Sequence, residues 1–309
     1  MRSERSLECG DAGIARAQKE SGQLHDGGRQ GKLSIIGLGP GARSYMAPEA
    51  LGALGAAQIV LGYKTYLELV GDLLHDKTVV AGAMRKEVER CQAAIDFALA
   101  GKNVALLSSG DAGIYGMAGL VLDICRQKGI DVWEWDTDLS GEAQQGAEEQ
   151  CAGEAPRGAR GFFLRVIPGI AAFNAAASIL GAPLMHDFAA VSLSDHLTPW
   201  EVIERRLHAA SEADFVLALY NPRSKSRPDL LEKARQIILR SRLAQTPAGI
   251  VGKAMREGQW RRLCTLADLP VEEVDMQTVI IVGNSQTYVW KGWMITPRGY
   301  LDKYAVDES

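Results

Sequence analysis

Two glycine-rich turns hold the residues best able to bring a ligand against bare backbone. The first is Gly37-Leu38-Gly39-Pro40-Gly41-Ala42, directly after the apolar run at 33–36. It satisfies the spacing of a dinucleotide-binding loop, G-x-G-x-x-G/A. Two features argue against a nicotinamide there. Pro40 lacks the N–H that a pyrophosphate-cradling turn would use. The following apolar segment ends Val60-Leu61-Gly62-Tyr63-Lys64, with no acid placed for a ribose hydroxyl. A proline between two glycines makes a rigid turn suited to close approach of an uncharged or cationic ligand. A plain strand–helix turn is the alternative.

The second turn is Ser108-Ser109-Gly110-Asp111-Ala112-Gly113-Ile114-Tyr115-Gly116. It leaves the C-terminal end of a predicted strand and is expected to open a helix. In an open parallel sheet, ligands bind at that edge. Its three glycines let backbone approach a ligand closely. Asp111 either meets the ligand or caps the helix.

Other candidates are scattered. Asp195, His196 and Thr198 follow a strand in SLSDHLTPW. His196 could move protons as a general acid or base. Asp195 or Thr198 could instead cap a helix starting near Pro199. Arg85, Lys86 and Arg90 form one basic cluster, and Arg223, Lys225 and Arg227 a second. Such clusters bind carboxylates or simply face water. No nucleophile–base order and no metal-ligand spacing stands out, so no metal is expected.

These residues need elements to hold them. LSIIG and IVLG read as buried strands, with PEALGALGAA as the helix between them. Met84, Val88, Cys91, Ile95 and Ala98 recur at helical spacing, giving one buried stripe that ends at Gly101. NVALLSSG is a strand, and a helix from Ile114 closes at Gly129. After RVIPG come helix AAFNAAASILGA, strand FAAVSLS, helix PWEVIERRLHAASEA, strand DFVLALYN and helix LLEKARQIILRSRL. Strands near AGIVGKA, RRLCTL and TVIIVGN complete the series. The alternation predicts an α/β fold with largely parallel sheets in two domains. The expected divisions are a disordered tail at 1–31, a domain at 32–168 and a domain at 169–309. A small, polar and acidic stretch at 136–160 reads as a disordered insertion in the first domain.

Bulk properties exclude several classes. The chain has 309 residues, 47% of them hydrophobic, enough for two modest cores. Its net charge of −4 comes largely from 136–160; elsewhere acids and bases balance. That balance gives no sign of a nucleic-acid partner. The cysteines Cys9, Cys91, Cys125, Cys151 and Cys264 are odd in number and none is spaced as CxxC. They read as reduced thiols of a cytoplasmic protein, with Cys91 and Cys125 in the core. Neither a signal peptide nor a membrane-spanning stretch is expected.

Eight blocks in order are more specific than any single turn: GLGPG, SSGDAGIYGMAG, IPGIAAFNAAASILGAPL, SLSDHLTPWEVIERRL, ALYNPRSKSR, TPAGIV, VIIVGNSQTY and TPRGY. Together they resemble the tetrapyrrole (corrin/porphyrin) methylase family, the class III methyltransferases. DFAAVSLSDHLTPW, LYNPRSKSR and TPRGY are similar to the branch that methylates C17 of precorrin-3B. The resemblance implies two α/β domains with an S-adenosylmethionine cleft between them, in a homodimer. It implies methyl transfer to C17 of precorrin-3B, or its cobalt-bearing counterpart, with ring contraction to precorrin-4. Carried over by block, the cofactor residues are Pro40, Gly110, Asp111, Ala112, Tyr115, Ala171, Ala172, Tyr220, Asn221, Gly283 and Asn284. The substrate residues are Arg223, Lys225, Arg227 and Thr198. Asp195 and His196 are the candidates for proton handling during ring contraction. The alternatives are a tetrapyrrole methylase acting at another ring position, a nicotinamide oxidoreductase using the GLGPGA turn, and a non-catalytic tetrapyrrole carrier.

Overall fold

The computed structural model describes residues 30–82, 86–135, 159–224 and 226–304. The tail up to residue 29, nearly all of the expected insertion at 136–160, and Met84, Arg85 and Lys225 lie outside the described residues. The chain forms two compact units that divide between Ala171 and Ala172, slightly beyond the expected boundary at Pro168 and Gly169.

The first unit is a three-layer α/β structure. Its order is β1 (Lys32–Gly37), α1 (Pro48–Ala56), β2 (Ile59–Tyr63), α2 (Lys64–Leu69), β3 (Thr78–Gly82), α3 (Glu87–Leu99), β4 (Asn103–Ser108), α4 (Ala118–Lys128), β5 (Asp131–Glu134) and β6 (Gly161–Ile167). The six strands form one sheet in the order β3-β2-β4-β1-β6-β5, every pair parallel. Both faces are covered, so the strands are near-continuous apolar runs. The pleat sorts them. Leu33, Ile35, Val104 and Leu106 pack with α3 and α4. Ile36, Ala105 and Leu107 pack with α1 and α2 on the other face. Each fully buried Leu or Ile contributes about 1.5–3 kcal/mol. The chain therefore leaves β1 and β4, which are neighbours, toward opposite faces. Their C-terminal ends form the crossover point where open α/β sheets hold ligands.

Two local expectations fail here. In α3, Cys91, Ile95 and Ala98 are buried, but Val88 is 60% exposed and Arg90 turns inward at 4%. The guanidinium of Arg90 lies over Gly82, where a Cβ would meet its Nε at 2.7 Å. Lys86 pairs with Glu89 at 2.9 Å, so the described members of the first basic cluster, Lys86 and Arg90, do not form one exposed cationic face. Burial pushes the Cys91 thiol up to about 12. The next helix, α4, starts at Ala118 rather than Ile114, because Tyr115 sits at φ 53, outside helical geometry. It closes at Gly129 in the left-handed region, as expected.

The second unit contains α5 (Ala172–Leu180), β7 (Gly181–Ala182), β8 (Phe188–Ser192), α6 (Trp200–Glu212), β9 (Val216–Tyr220), α7 (Leu230–Ile238), β10 (Pro247–Gly252), β11 (Trp260–Thr265), β12 (Thr278–Val282), β13 (Tyr288–Trp290), β14 (Trp293–Ile295) and α8 (Tyr300–Lys303). Its main sheet has the order β11-β10-β12-β9-β8, and a small sheet the order β13-β14-β7. Only β8 and β9 pair in parallel in the main sheet. The expectation of largely parallel sheets thus holds for the first unit and not for the second. Leu207 of α6 and Leu231 and Ile238 of α7 pack on Leu217, Leu219 and Ile280. No helix of the described residues is long and apolar enough to cross a membrane.

Candidate functional site

In the first unit the two glycine turns meet at the C-terminal edge of the sheet. Leu38 N donates to Ser108 O at 2.9 Å. Gly39 N donates to Gly110 O at 3.0 Å, and Gly110 N to Gly39 O at 2.9 Å, so the turns form a bridge of their own. A third turn, after β6, closes on them. A Cβ on Gly169 would lie 2.2 Å from Gly110 O and 2.7 Å from Gly37 O. A Cβ on Gly37 would lie 2.7 Å from Gly169 N. Only glycine fits at this three-strand junction. Gly39 and Gly110 also take positive φ, 65° and 64°.

Asp111 fastens the junction. Its Oδ1 accepts from Gly113 N at 2.8 Å and its Oδ2 from Gly169 N at 3.0 Å. It does not cap α4, whose N-cap is Met117 with no side-chain bond. Pro40, Ala112 and Ala171 are buried beside it, and Tyr115 is 54% exposed at the turn's tip. The two turns, 37–42 and 108–116, contain no basic residue. Arg43, just beyond, pairs with Asp72 at 3.2 Å. The two turns offer backbone groups and one carboxylate, a setting that favours a neutral or positive ligand over a diphosphate.

In the second unit, β8, β9 and β10 run in one direction and β12 runs against them. Ser192, Tyr220 and Gly252 therefore end at one edge, while Gly283 and Asn284 follow β12 at the opposite edge. Within this unit Gly283 and Asn284 are therefore apart from Tyr220 and Asn221. Gly283 N donates to Pro247 O at 2.9 Å, at the start of β10. Asn284 is 4% exposed; its N donates to Thr287 Oγ1 at 2.9 Å, and its Oδ1 accepts from Gln286 N at 3.0 Å. Thr287 Oγ1 in turn lies 2.7 Å from Thr296 Oγ1, which ties TPRGY to this turn. Asn284 is thereby held within a buried hydroxyl–amide cluster.

At the first edge, Tyr220 Oη accepts from Phe173 N at 3.0 Å, in the opening turn of α5 beside Ala172. Its ring meets Phe173 edge-on at 6.4 Å. Asn221 sits at φ 52 and donates from Nδ2 to Ser192 Oγ at 2.9 Å. Arg227 donates to Asp195 and, at 3.3 Å, to Ser194 Oγ. Arg223 pairs with the Glu272 carboxylate at 2.5 Å and donates to Glu272 O at 2.6 Å. Both arginines are thus held by carboxylates of this chain. Asp195 serves as a partner of Arg227 and not as a helix cap. Thr198 is not a cap either: α6 begins at Trp200 and its N-cap is Pro199, without a side-chain bond. His196 is exposed on the same turn.

One loop at this edge escaped the sequence reading. After β10, Lys253 and Met255 take φ 49 and 55. A run of non-glycine residues in the left-handed region is uncommon and marks functional loops. GKAMREGQ contains the glycines of a turn but no local cue to that backbone.

Comparison with known proteins supplies the context. The model of the family described as Tetrapyrrole (Corrin/Porphyrin) Methylases matches residues 32–133 and 151–270. A probable cobalt-factor III C(17)-methyltransferase of Salmonella typhimurium (strain LT2) is 51% identical over 268 residues, 87% of this chain and 99% of its own. A precorrin-3B C(17)-methyltransferase of Sinorhizobium sp. is 38% identical over 276 residues, 87% of this chain and 97% of its own. The crystal structure of the methyltransferase CobJ superposes with a TM-score of 0.72 at 32% identity, over 86% of this chain and all of that one.

Proposed function

Because the chain belongs to the tetrapyrrole (corrin/porphyrin) methylase family, we propose that it is an S-adenosylmethionine-dependent C-methyltransferase acting at C17 of cobalt-factor III or precorrin-3B in cobalamin biosynthesis. The relative at 51% identity carries the cobalt-bearing name, which favours that substrate. Membership in this family removes the nicotinamide oxidoreductase alternative. We read the assembly as a homodimer, to be checked by sedimentation velocity.

The observation that carries the chemical reading is the junction of Gly37, Gly110 and Gly169, fastened by Asp111 and free of basic residues. When bound, S-adenosylmethionine supplies a methyl on a positive sulfur. A positive ligand suits turns whose only charged side chain is the Asp111 carboxylate. On this reading Pro40, Gly110, Asp111, Ala112, Tyr115 and Ala171 hold the cofactor through the first unit. Ala172, Tyr220, Asn221, Gly283 and Asn284 complete the cofactor set carried over from the family's blocks. Tyr220 acts by holding the opening turn of α5. Arg223 and Arg227 offer guanidinium groups for substrate carboxylates, which would displace Glu272 and Asp195. The chain's own residues position the methyl against its carbon and keep water out. Alignment of that kind supplies about 7–11 kcal/mol in favourable cases. His196 and Asp195 remain the residues proposed for proton handling, with Asp195 also positioning Arg227.

Calorimetry with S-adenosylhomocysteine and with NADPH tests the cofactor. The expected result is binding of S-adenosylhomocysteine alone. Binding of NADPH without S-adenosylhomocysteine would overturn the assignment.

A further inference from the structure

The edge of the second unit where β8, β9 and β10 end carries a groove of about 610 Å³. Arg223, Ser224, Lys253 and Met276 are among its walls. Its charged residues differ in availability. Arg223 is committed to Glu272 and to two carbonyls of 271–272. Asp275 is exposed, and its Oδ1 accepts from Gln277 N at 2.8 Å and Thr278 Oγ1 at 2.9 Å. Lys253 is exposed and pairs with no carboxylate among the described residues.

The backbone at Lys253 is held in place from both sides. Lys253 N donates to Gln277 O at 3.1 Å, and its carbonyl accepts from Arg256 N at 3.0 Å. Those bonds keep it at φ 49, a conformation strained for a non-glycine residue. A glycine would adopt that turn without strain, so the lysine side chain is the feature that needs a reason. Asn221 and Met255, at φ 52 and 55, put the same backbone geometry elsewhere along this edge.

From this arrangement we propose that Lys253 is a specificity-determining cation that receives a carboxylate arm of the tetrapyrrole in the groove beside Arg223. This inference rests on the methyltransferase reading, since a macrocycle edged with carboxylates is the ligand it needs. An ammonium group against a carboxylate forms a charge-assisted hydrogen bond. The pairing selects for the acidic arm over a neutral one.

The test compares full-length wild type, Lys253→Met and Lys253→Arg. Cobalt-factor III is titrated by absorbance, and S-adenosylhomocysteine by calorimetry. Lys253→Met keeps an unbranched side chain of nearly the same length and removes its charge. It is expected to weaken tetrapyrrole binding about ten- to a hundred-fold, with S-adenosylhomocysteine affinity unchanged and with Lys253→Arg restoring most of the loss. Unchanged tetrapyrrole affinity in Lys253→Met overturns the inference. So does an equal loss of both affinities, which would assign the loop to the cofactor or to folding. Absence of tetrapyrrole binding by wild type would instead overturn the methyltransferase reading, and this inference with it.

Discussion

At the scale of single residues, side chains that look ready for chemistry are largely occupied in holding backbone. Asp111 joins two turns whose glycines are far apart in sequence. Asp111→Ala removes acceptors from two N–H groups, and should destabilise the protein by about 1–3 kcal/mol. It should weaken S-adenosylhomocysteine binding as well, because the turn at Gly169 loses its anchor. Urea unfolding and calorimetry on the same variant check both effects; a variant with wild-type stability would show that the two bonds contribute nothing. The sequence marked Asp111 as either a ligand contact or a cap, and neither local pattern nor spacing could reveal Gly169 as its partner. Likewise the basic residues of ALYNPRSKSR were legible as a cluster. Their partners, Glu272 for Arg223 and Asp195 for Arg227, come from distant segments and were not.

At the scale of elements, glycines have opposite meanings by position, and this gives a paired prediction. Gly169→Ala would place a Cβ 2.2 Å from the Gly110 carbonyl, with backbone on both sides of it. Such overpacking should cost about 1–3 kcal/mol or more. Gly52, inside α1, has nothing within 4 Å of its would-be Cβ. Gly52→Ala should stabilise by about 0.5–1 kcal/mol, through helix propensity. Thermal unfolding of the two variants in parallel decides the matter; equal shifts would contradict the junction. Strand positions were readable because buried strands are apolar runs such as those of β1 and β12. Strand direction was not. TVIIVGN has the same local pattern whether it pairs parallel or antiparallel, and its reversal is what separates Gly283 and Asn284 from Tyr220 and Asn221. The start of α4 was misplaced for a related reason: Tyr115 breaks helical geometry without being glycine or proline.

At the scale of the whole molecule, the alternation of strands and helices was enough to predict α/β layers in two units. The switch from a parallel sheet to a mixed one within the chain has no compositional sign, because both sheets are built from the same Val, Ile, Leu and Ala. Ordered motif blocks carried the functional reading much further than composition did. Family membership and the 51% identical relative agree with it. The central claim is methyl transfer to C17. Its most direct test is incubation of the protein with cobalt-factor III or precorrin-3B and methyl-labelled S-adenosylmethionine, followed by mass and carbon magnetic-resonance analysis of the product. The account predicts one labelled methyl, attached at C17 of a ring-contracted macrocycle. A label at another ring carbon, or no transfer from either substrate, would contradict it.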